Sequence, residues 1–282
     1  MTKYKLLALD IDGTLVGRDE IVSQPVREAV AAAVVGGMKV CLATGRSYVE
    51  TAGVWRQLPL AEPHEPMVLF GGALVTEGAT GRTLFHHTMS PADAREFSGA
   101  LSDAGFCSVV AVDPWRHGLD YVRAAGGWGH EFLHRWLGRH ALTVRVASRV
   151  DAVADLPPAL RVSAVVEPAK APELEARLRE RFDGRLTMHT IYVPAYDFTV
   201  LEAFGGGASK LAGITYVGQP WRIGPGLVAA VGDDVNDLAM LRGVGLGVAM
   251  PQASDDVKSA ACHVAEKGLA VFIHELIGGR FG

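Results

Sequence analysis

Tyr4-Lys5-Leu6-Leu7-Ala8-Leu9-Asp10-Ile11-Asp12-Gly13-Thr14-Leu15 is the stretch that decides the fold. A short, nearly continuous apolar run ending in carboxylates reads as a strand covered on both faces in a parallel sheet, with chemistry at its carboxyl end. Residues two apart on an extended chain point the same way, so Asp10 and Asp12 are expected on one side of a cleft. Two carboxylates that close repel each other unless a cation or shared proton relieves them, and a hard divalent ion such as Mg²⁺ is the usual remedy. Gly13 permits the sharp turn that follows. In isolation the same residues also fit a strand-to-loop turn with solvated aspartates.

Working outward, Ser23 and Pro25 open an Ala/Val-rich helix to Val35 that Gly36-Gly37 stops, and Met38 to Ala43 reads as a second strand. Ser47 caps a helix to about Leu58, and Met67 to Phe70 supplies a third apolar run. This βαβαβ alternation predicts a doubly wound, Rossmann-like, mostly parallel α/β core whose ligand lies beyond the carboxyl ends of the strands. From about Thr83 to Phe204 the texture changes. Helices are expected at Ser90 to Asp103 and Pro172 to Phe182. Strands are expected at 106–112, 119–123, 142–147, 161–166, 185–191 and 198–202, several alternating polar with apolar residues as in an antiparallel sheet. After a hinge-like Gly205-Gly206-Gly207 the α/β pattern returns, with a helix at Ser209 to Tyr216, strands at Leu227 to Val231 and Leu246 to Met250, and helices at Val235 to Arg242 and Gly268 to Leu276. The expected architecture is a core from residues 1–84 and 205–282 interrupted by an α+β domain from 85–204, a usual domain size.

The 282 residues carry 49% hydrophobic and 21% charged side chains with a net charge of −4, an ordinary globular balance without the basic field that draws in nucleic acid or an anionic membrane. A small-molecule partner is expected, with the protein a monomer or homodimer. Cys41, Cys107 and Cys262 form neither a disulfide framework nor a zinc spacing, and are expected to be buried, reduced thiols. No run approaches the ~20 apolar residues that span a bilayer, and no signal-peptide apolar region precedes Asp10, so a cytoplasmic location is expected.

Three further clusters sit at element boundaries. In Ala43-Thr44-Gly45-Arg46 a hydroxyl and a backbone N–H follow a strand and precede a helix, where phosphate oxygens bind, although Thr and Gly are also common turn residues. Lys210 opens a helix after the glycines, but Ser209-Lys210-Leu211 is not the Gly-Lys-Ser/Thr of a Walker A loop. Gly232-Asp233-Asp234-Val235-Asn236-Asp237 places three carboxylates and an amide at a strand's end, a concentration of charge that is costly without a metal; Asp234 and Asp237 also suit a helix start. The run Gly243-x-Gly245-x-Gly247 lacks dinucleotide-binding spacing and reads as a turn.

Asp-x-Asp-Gly-Thr, a Thr after the second strand, a Lys after the insertion and Gly-Asp-Asp-x-Asn-Asp, in that order, resemble the haloacid dehalogenase superfamily, specifically its Cof-type phosphatases with a large inserted C2-type cap. The resemblance implies Asp10 as nucleophile and Mg²⁺ ligand, and Asp12 as acid/base whose carbonyl also binds metal. It implies Thr44, Gly45, Lys210, Asn236 and the Ile11 backbone as phosphate contacts, Asp233 as second metal ligand and Asp237 as support to Lys210 or the metal. Arg46, beside Thr44, is a possible substrate contact. His189, Tyr192, Tyr196 and the stretch Gly126 to His130 are cap candidates for specificity, ordinary cap surface being the alternative.

The function implied is Mg²⁺-dependent hydrolysis of a small phosphorylated metabolite, such as a sugar phosphate, through an aspartyl phosphate. A phosphotransferase or mutase would use the same intermediate. A signalling receiver would also hold a phospho-aspartate, but the acid/base at Asp12 and the inserted cap argue against it. The chain departs from the usual pattern at Gly71-Gly72, at Pro251-Gln252 where amides are expected to be lost, and at Leu211 after Lys210. All of this requires Asp233 within about 10 Å of the Asp10 carboxylate, because Mg²⁺ binds oxygens at about 2.1 Å.

Overall fold

In the computed structural model, which describes residues 2–60, 65–193 and 196–282, the opening apolar run forms β1 (Leu6–Leu9), every residue of it buried. The elements that follow are α1 (Gln24–Val35), β2 (Lys39–Ala43), α2 (Tyr48–Trp55), β3 (Pro66–Leu69), β4 (Leu74–Glu77), β5 (Thr83–His86), α3 (Pro91–Asp103), β6 (Ser108–Val112), α4 (Pro114–His117), β7 (Tyr121–Ala124), α5 (His130–Leu137) and β8 (Val144–Ala147). Then come β9 (Ala159–Val166), α6 (Ala171–Arg181), β10 (Leu186–Val193), β11 (Phe198–Gly205), α7 (Lys210–Gly218), β12 (Val228–Gly232), α8 (Leu238–Gly243), β13 (Leu246–Ala249), α9 (Asp255–Ala260), β14 (His263–Val264) and α10 (Leu269–Ile277).

The chain divides into two compact units, one of residues 1–85 with 209–282 and one of residues 86–208. The first is a sheet in the order β14-β13-β12-β1-β2-β3-β4-β5. It is parallel from β14 to β3, and β4 turns back antiparallel on β3. This is a mixed α/β fold with a parallel-rich sheet. β1 lies between β12 and β2, with Ala8 in register with both Ala230 and Cys41, so the two ends of the chain build one core. The carboxyl ends of β1, β2 and β12 therefore lie side by side, which sets the place for the acidic clusters. The β3–β4 turn has Phe70, Gly71 and Gly72 all at positive φ. A Cβ on Gly72 would stand 1.9 Å from the Ser209 carbonyl, so backbone approach excludes any side chain there. Leu211 finds room because Gly243 has no side chain: a Cβ on Gly243 would lie 2.2 Å from Leu211 Cδ2.

The inserted unit has the sheet order β10-β11-β9-β6-β7-β8. It is antiparallel through β7, as expected, but β8 runs parallel to β7. Parallel neighbours need a crossover connection, and α5 supplies it in a stretch to which the sequence reading assigns no helix. β4, β5, α9 and β14 are likewise additions to the sequence expectation. The three glycines at 205–207 are bonded within the inserted unit: Gly205 ends β11, the Gly206 carbonyl meets His87 Nε2 at 2.9 Å, and Gly207 N–H donates to Thr187 Oγ1.

Cys41 and Cys107 are buried, but Cys262 is exposed, which corrects the expectation of three buried thiols. It follows α9 in the link to β14, where its N–H is used on Gly247 and its side chain faces outward. Among the described residues no helix is long and apolar enough to cross a membrane.

Candidate active site

Lys210 begins α7, whose first turn is capped by the Ser209 hydroxyl accepting from Ala212 N–H. Its side chain is fully buried, and Nζ donates to Asp10 Oδ1 at 2.6 Å, Asp237 Oδ1 at 2.7 Å and Asn236 Oδ1 at 3.3 Å. An ammonium has three N–H donors, so all are engaged. Burial alone would lower the Lys210 ammonium, but Asp10 and Asp237 outweigh it and hold it above its usual range. Burial raises the Asp10 carboxyl well above its ordinary value, Lys210 opposing and Asp237 and Asp233 adding to the rise.

Asp237 is buried with both oxygens used: Oδ1 takes Lys210, and Oδ2 accepts the Asp233 and Asp234 amides at 3.0 and 3.2 Å. It shapes the turn after β12 and supports Lys210 at once. Asp233 has one side against Gly13, whose positive φ and missing side chain leave the space, since a Cβ there would be 2.1 Å from Asp233 Oδ2. Thr14 Oγ1 and Gln252 Nε2 also approach the Asp233 carboxylate, at 3.5 and 3.4 Å. Burial first, then Asp237 and Asp234, push the Asp233 carboxyl up to about 6. Oxygens of Asp10, Asp233 and Asp237 all lie within 4.8 Å of one another.

That arrangement fits a divalent cation. Two oxygens on opposite sides of a Mg²⁺ ion stand about 4.2 Å apart, close to the observed spread. Three carboxylates against one ammonium leave a surplus of negative charge in a buried place, which is the electrostatic condition such an ion relieves. Asp10 and Asp233 could hold such an ion, whereas Asp237 is committed to Lys210 and the turn.

Asp12 is placed differently. β1 ends at Leu9, so Asp10 and Asp12 are not alternate residues of one strand, and their carboxylates have separate partners. Asp12 faces Arg46, which donates from Nε to Oδ2 at 2.9 Å and from Nη2 to Oδ1 at 2.6 Å, while Arg46 Nη1 pairs with Glu20 at 2.9 Å. Glu20, at a positive φ of 56°, was not singled out in the sequence. Arg46 is thus engaged with protein carboxylates rather than presented alone. Thr44 is buried, its Oγ1 accepting from Arg46 N–H, and Gly45 adjoins Asn236, whose Nδ2 would be 4.0 Å from a Cβ added there. The Ile11 carbonyl gathers the amides of Thr14, Leu15 and Val16 and closes the loop after β1.

Gln252 was missed. The pattern after β13 suggests a lost amide, yet the Gln252 carboxamide reaches both the Gly13 carbonyl and Asp233. The signal was the residue itself, an amide of greater reach.

A family model for haloacid dehalogenase-like hydrolases matches residues 7–269. The chain belongs to that family. This haloacid dehalogenase-like hydrolase is 27% identical to the 5-amino-6-(5-phospho-D-ribitylamino)uracil phosphatase of Bacillus subtilis (strain 168), over 97% of this chain and 98% of the relative. Its fold is shared with a haloacid dehalogenase-like hydrolase from Bacteroides thetaiotaomicron, at a TM-score of 0.76 and 21% identity over 97% of this chain and 99% of that one. A sugar phosphatase of HAD subclass IIB has the same fold, with a TM-score of 0.74 and 20% identity over 96% and 98%. The chain is therefore an enzyme of a hydrolase family whose relatives are named phosphatases.

Proposed function

We propose that the chain is a Mg²⁺-dependent phosphatase that hydrolyses a small phosphomonoester through an aspartyl phosphate, an acyl phosphate formed on Asp10. The observation that carries this reading is the convergence of Asp10, Asp233 and Asp237 within 4.8 Å beside the Lys210 ammonium. Mg²⁺, when bound by Asp10, Asp233 and the Asp12 carbonyl, would neutralise the phosphoryl group and the carboxylates around it.

The residues of the chain would then do the following. An Asp10 oxygen attacks phosphorus, the bond to the leaving oxygen breaks, and Asp12 gives that oxygen a proton. The Asp12 carboxylate next takes a proton from water, which attacks phosphorus and breaks its bond to Asp10, releasing inorganic phosphate and restoring both aspartates. Catalysis of this kind is positioning plus electrostatic stabilisation of equatorial oxygens. Thr44, Gly45 and the Ile11 amide would hold those oxygens. Lys210 joins them by exchanging its longest contact, the 3.3 Å bond to Asn236, for a phosphoryl oxygen. Arg46 keeps the Asp12 carboxylate oriented between turns of the cycle.

The substrate class is a small phosphorylated metabolite. The relative named for an aminouracil carrying a ribityl phosphate and the neighbour named as a sugar phosphatase both fit it. The test is a Mg²⁺-supplemented screen of phosphorylated metabolites with wild type and Asp10→Asn. Wild type should release phosphate, lose activity in EDTA and regain it with Mg²⁺; Asp10→Asn should melt as a folded protein and release none. Retained turnover in Asp10→Asn would remove the nucleophile, and phosphate appearing mainly on an added alcohol would make the enzyme a transferase.

A further inference from the structure

Arg123, on β7, is the one arginine that the fold buries among the described residues, with 7% of its surface exposed. Its Nη1 donates to the Ala124 carbonyl at 2.7 Å. The Cys107 thiol is its other partner; burial raises that thiol, with Arg123 opposing, so it is neutral and supplies no counter-charge. No carboxylate pairs with Arg123 among the described residues, whereas Arg161 in the same sheet has Glu202 at 3.1 Å. A guanidinium does not lose its proton in a protein, so burying one without an anion is costly.

The charge stands in the wall of an open cleft of about 440 Å³ that Arg123 lines together with His130, Glu131, His134 and Arg135 of α5. His130 and His134 are four positions apart, so they share one face of the helix. Arg135 donates from Nε to the Glu131 carbonyl and has no carboxylate partner among the described residues either. Two guanidinium groups therefore meet a single carboxylate, that of Glu131, which is exposed. The two imidazoles each add an N–H donor even when neutral.

This donor set favours one shape of anion. Arg123 and Arg135 keep most of their N–H groups free of the backbone, and with the imidazoles they outnumber what the two oxygens of a carboxylate accept. A tetrahedral dianion presents oxygens in several directions at once, and arginine forks match its edges.

We propose that the cleft is an oxyanion site built for a tetrahedral dianion such as phosphate, held by Arg123 and Arg135 with His130 and His134 donating beside them. None of these residues belongs to the cluster around Lys210, and the binding does not rest on the phosphatase reading. The oxyanion has two sources, the free ion or the phosphoryl end of a larger molecule.

The probe is inorganic phosphate, titrated at constant pH into the full chain carrying Asp10→Asn, in EDTA, so that neither hydrolysis nor Mg²⁺ takes part. The readout is the ring-proton resonances of His130 and His134, assigned from their Gln variants. Both rings should shift saturably with one dissociation constant, chloride at equal ionic strength should move neither, and phosphate should raise the melting temperature. Arg135→Gln, at an exposed position, should weaken binding about tenfold while melting like its parent in the absence of phosphate. Arg123→Lys, which keeps the charge and loses the fork, should weaken it as well. No saturable shift, an equal response to chloride, or binding unchanged in both variants would overturn the proposal. Malonate binding more tightly than phosphate would overturn it too, by making the cleft a carboxylate site. Methyl phosphate separates the two sources: binding tighter than phosphate supports the phosphoryl end of a larger molecule, and weaker binding supports the free ion. Saturable ring shifts beside a wild type that hydrolyses no phosphate would leave the site standing and remove the phosphatase reading alone.

Discussion

Lys210 is the residue on which the buried charges balance, for among the described residues it is the single cation set against Asp10 and Asp237 in hydrogen-bond contact. Replacing it by Met keeps the volume and removes the charge, leaving two buried carboxylates facing each other. Breaking a buried pair in this way costs about 3–5 kcal/mol, so Lys210→Met should lower the denaturation midpoint markedly as well as abolish turnover. Arg46 is the opposite case. Its partners Asp12 and Glu20 have side chains 63% and 59% exposed, so each ion pair contributes less than about 1 kcal/mol, and what Arg46→Ala loses beyond that is the packing of a side chain itself only 14% exposed. If Arg46 orients Asp12, that variant should lose about tenfold in kcat with KM little changed; a rise in KM alone would make Arg46 a substrate contact. The thiols differ in the same local way. Burial pushes the Cys41 thiol up to about 12 and also raises Cys107, whereas Cys262 is exposed. A thiol reagent at pH 8 should therefore modify Cys262 at once in the native protein, with Cys41 and Cys107 reacting only after denaturation.

At the scale of elements, α2 carries a complete capping box, in which the Ser47 side chain accepts from Glu50 N–H and Glu50 accepts from Ser47 N–H. Ser47→Ala should cost about 1 kcal/mol by chemical denaturation. That cap was legible in the sequence because the signal is local: a Ser directly before an apolar helix with Glu three residues on. The buried parallel strands were legible for a related reason, since β1, β2 and β12 are continuous apolar runs that end in polar clusters, and the clusters stand at their carboxyl ends. What escaped was specified by distant partners. β4 pairs back on β3, with β5 beyond it, after a turn that works only because Gly72 lets the backbone approach Ser209, 137 positions along the chain being invisible to periodicity. α5 is flanked by glycines and rich in His and Arg, so its apolar face of Phe132, Leu133 and Trp136 is diluted; losing it also hid that β8 is parallel to β7. Gln252 and Leu211 read as departures in one dimension, yet in three dimensions one places an amide on Asp233 and the other occupies the space Gly243 leaves.

For the whole molecule, the inserted unit has the marks of a body that folds by itself. Its two ends are held together within it by His87 on the Gly206 carbonyl, Met89 bridges to Ala159 at the start of β9, and its core includes Phe97, Phe182 and Leu201. Residues 86–208 expressed alone should therefore give a cooperative melt and dispersed amide resonances. Its stability should depend on acid through Glu202. Burial would raise that carboxyl, but Arg161 and His189 outweigh it and hold it below the ordinary 4.5. A carboxyl lowered by folding contributes stability that is complete above its unfolded value and lost as pH falls through the folded one. The isolated unit should hence weaken below about pH 4.5, and Glu202→Gln should flatten that limb. The sheet of the other unit has a different history. β1 sits between β2 and β12, and residues 87–227 are made after β5 and before β12 can arrive. At elongation rates of roughly 5–20 residues per second, that delay is on the order of 10 s. For that interval the nascent chain carries one unsatisfied edge of an apolar strand, while a self-sufficient body assembles downstream of it. Synthesis in the cell should thus depend on chaperones that shield a newly made N-terminal segment, and a circular permutant beginning just after residue 208 should need them less.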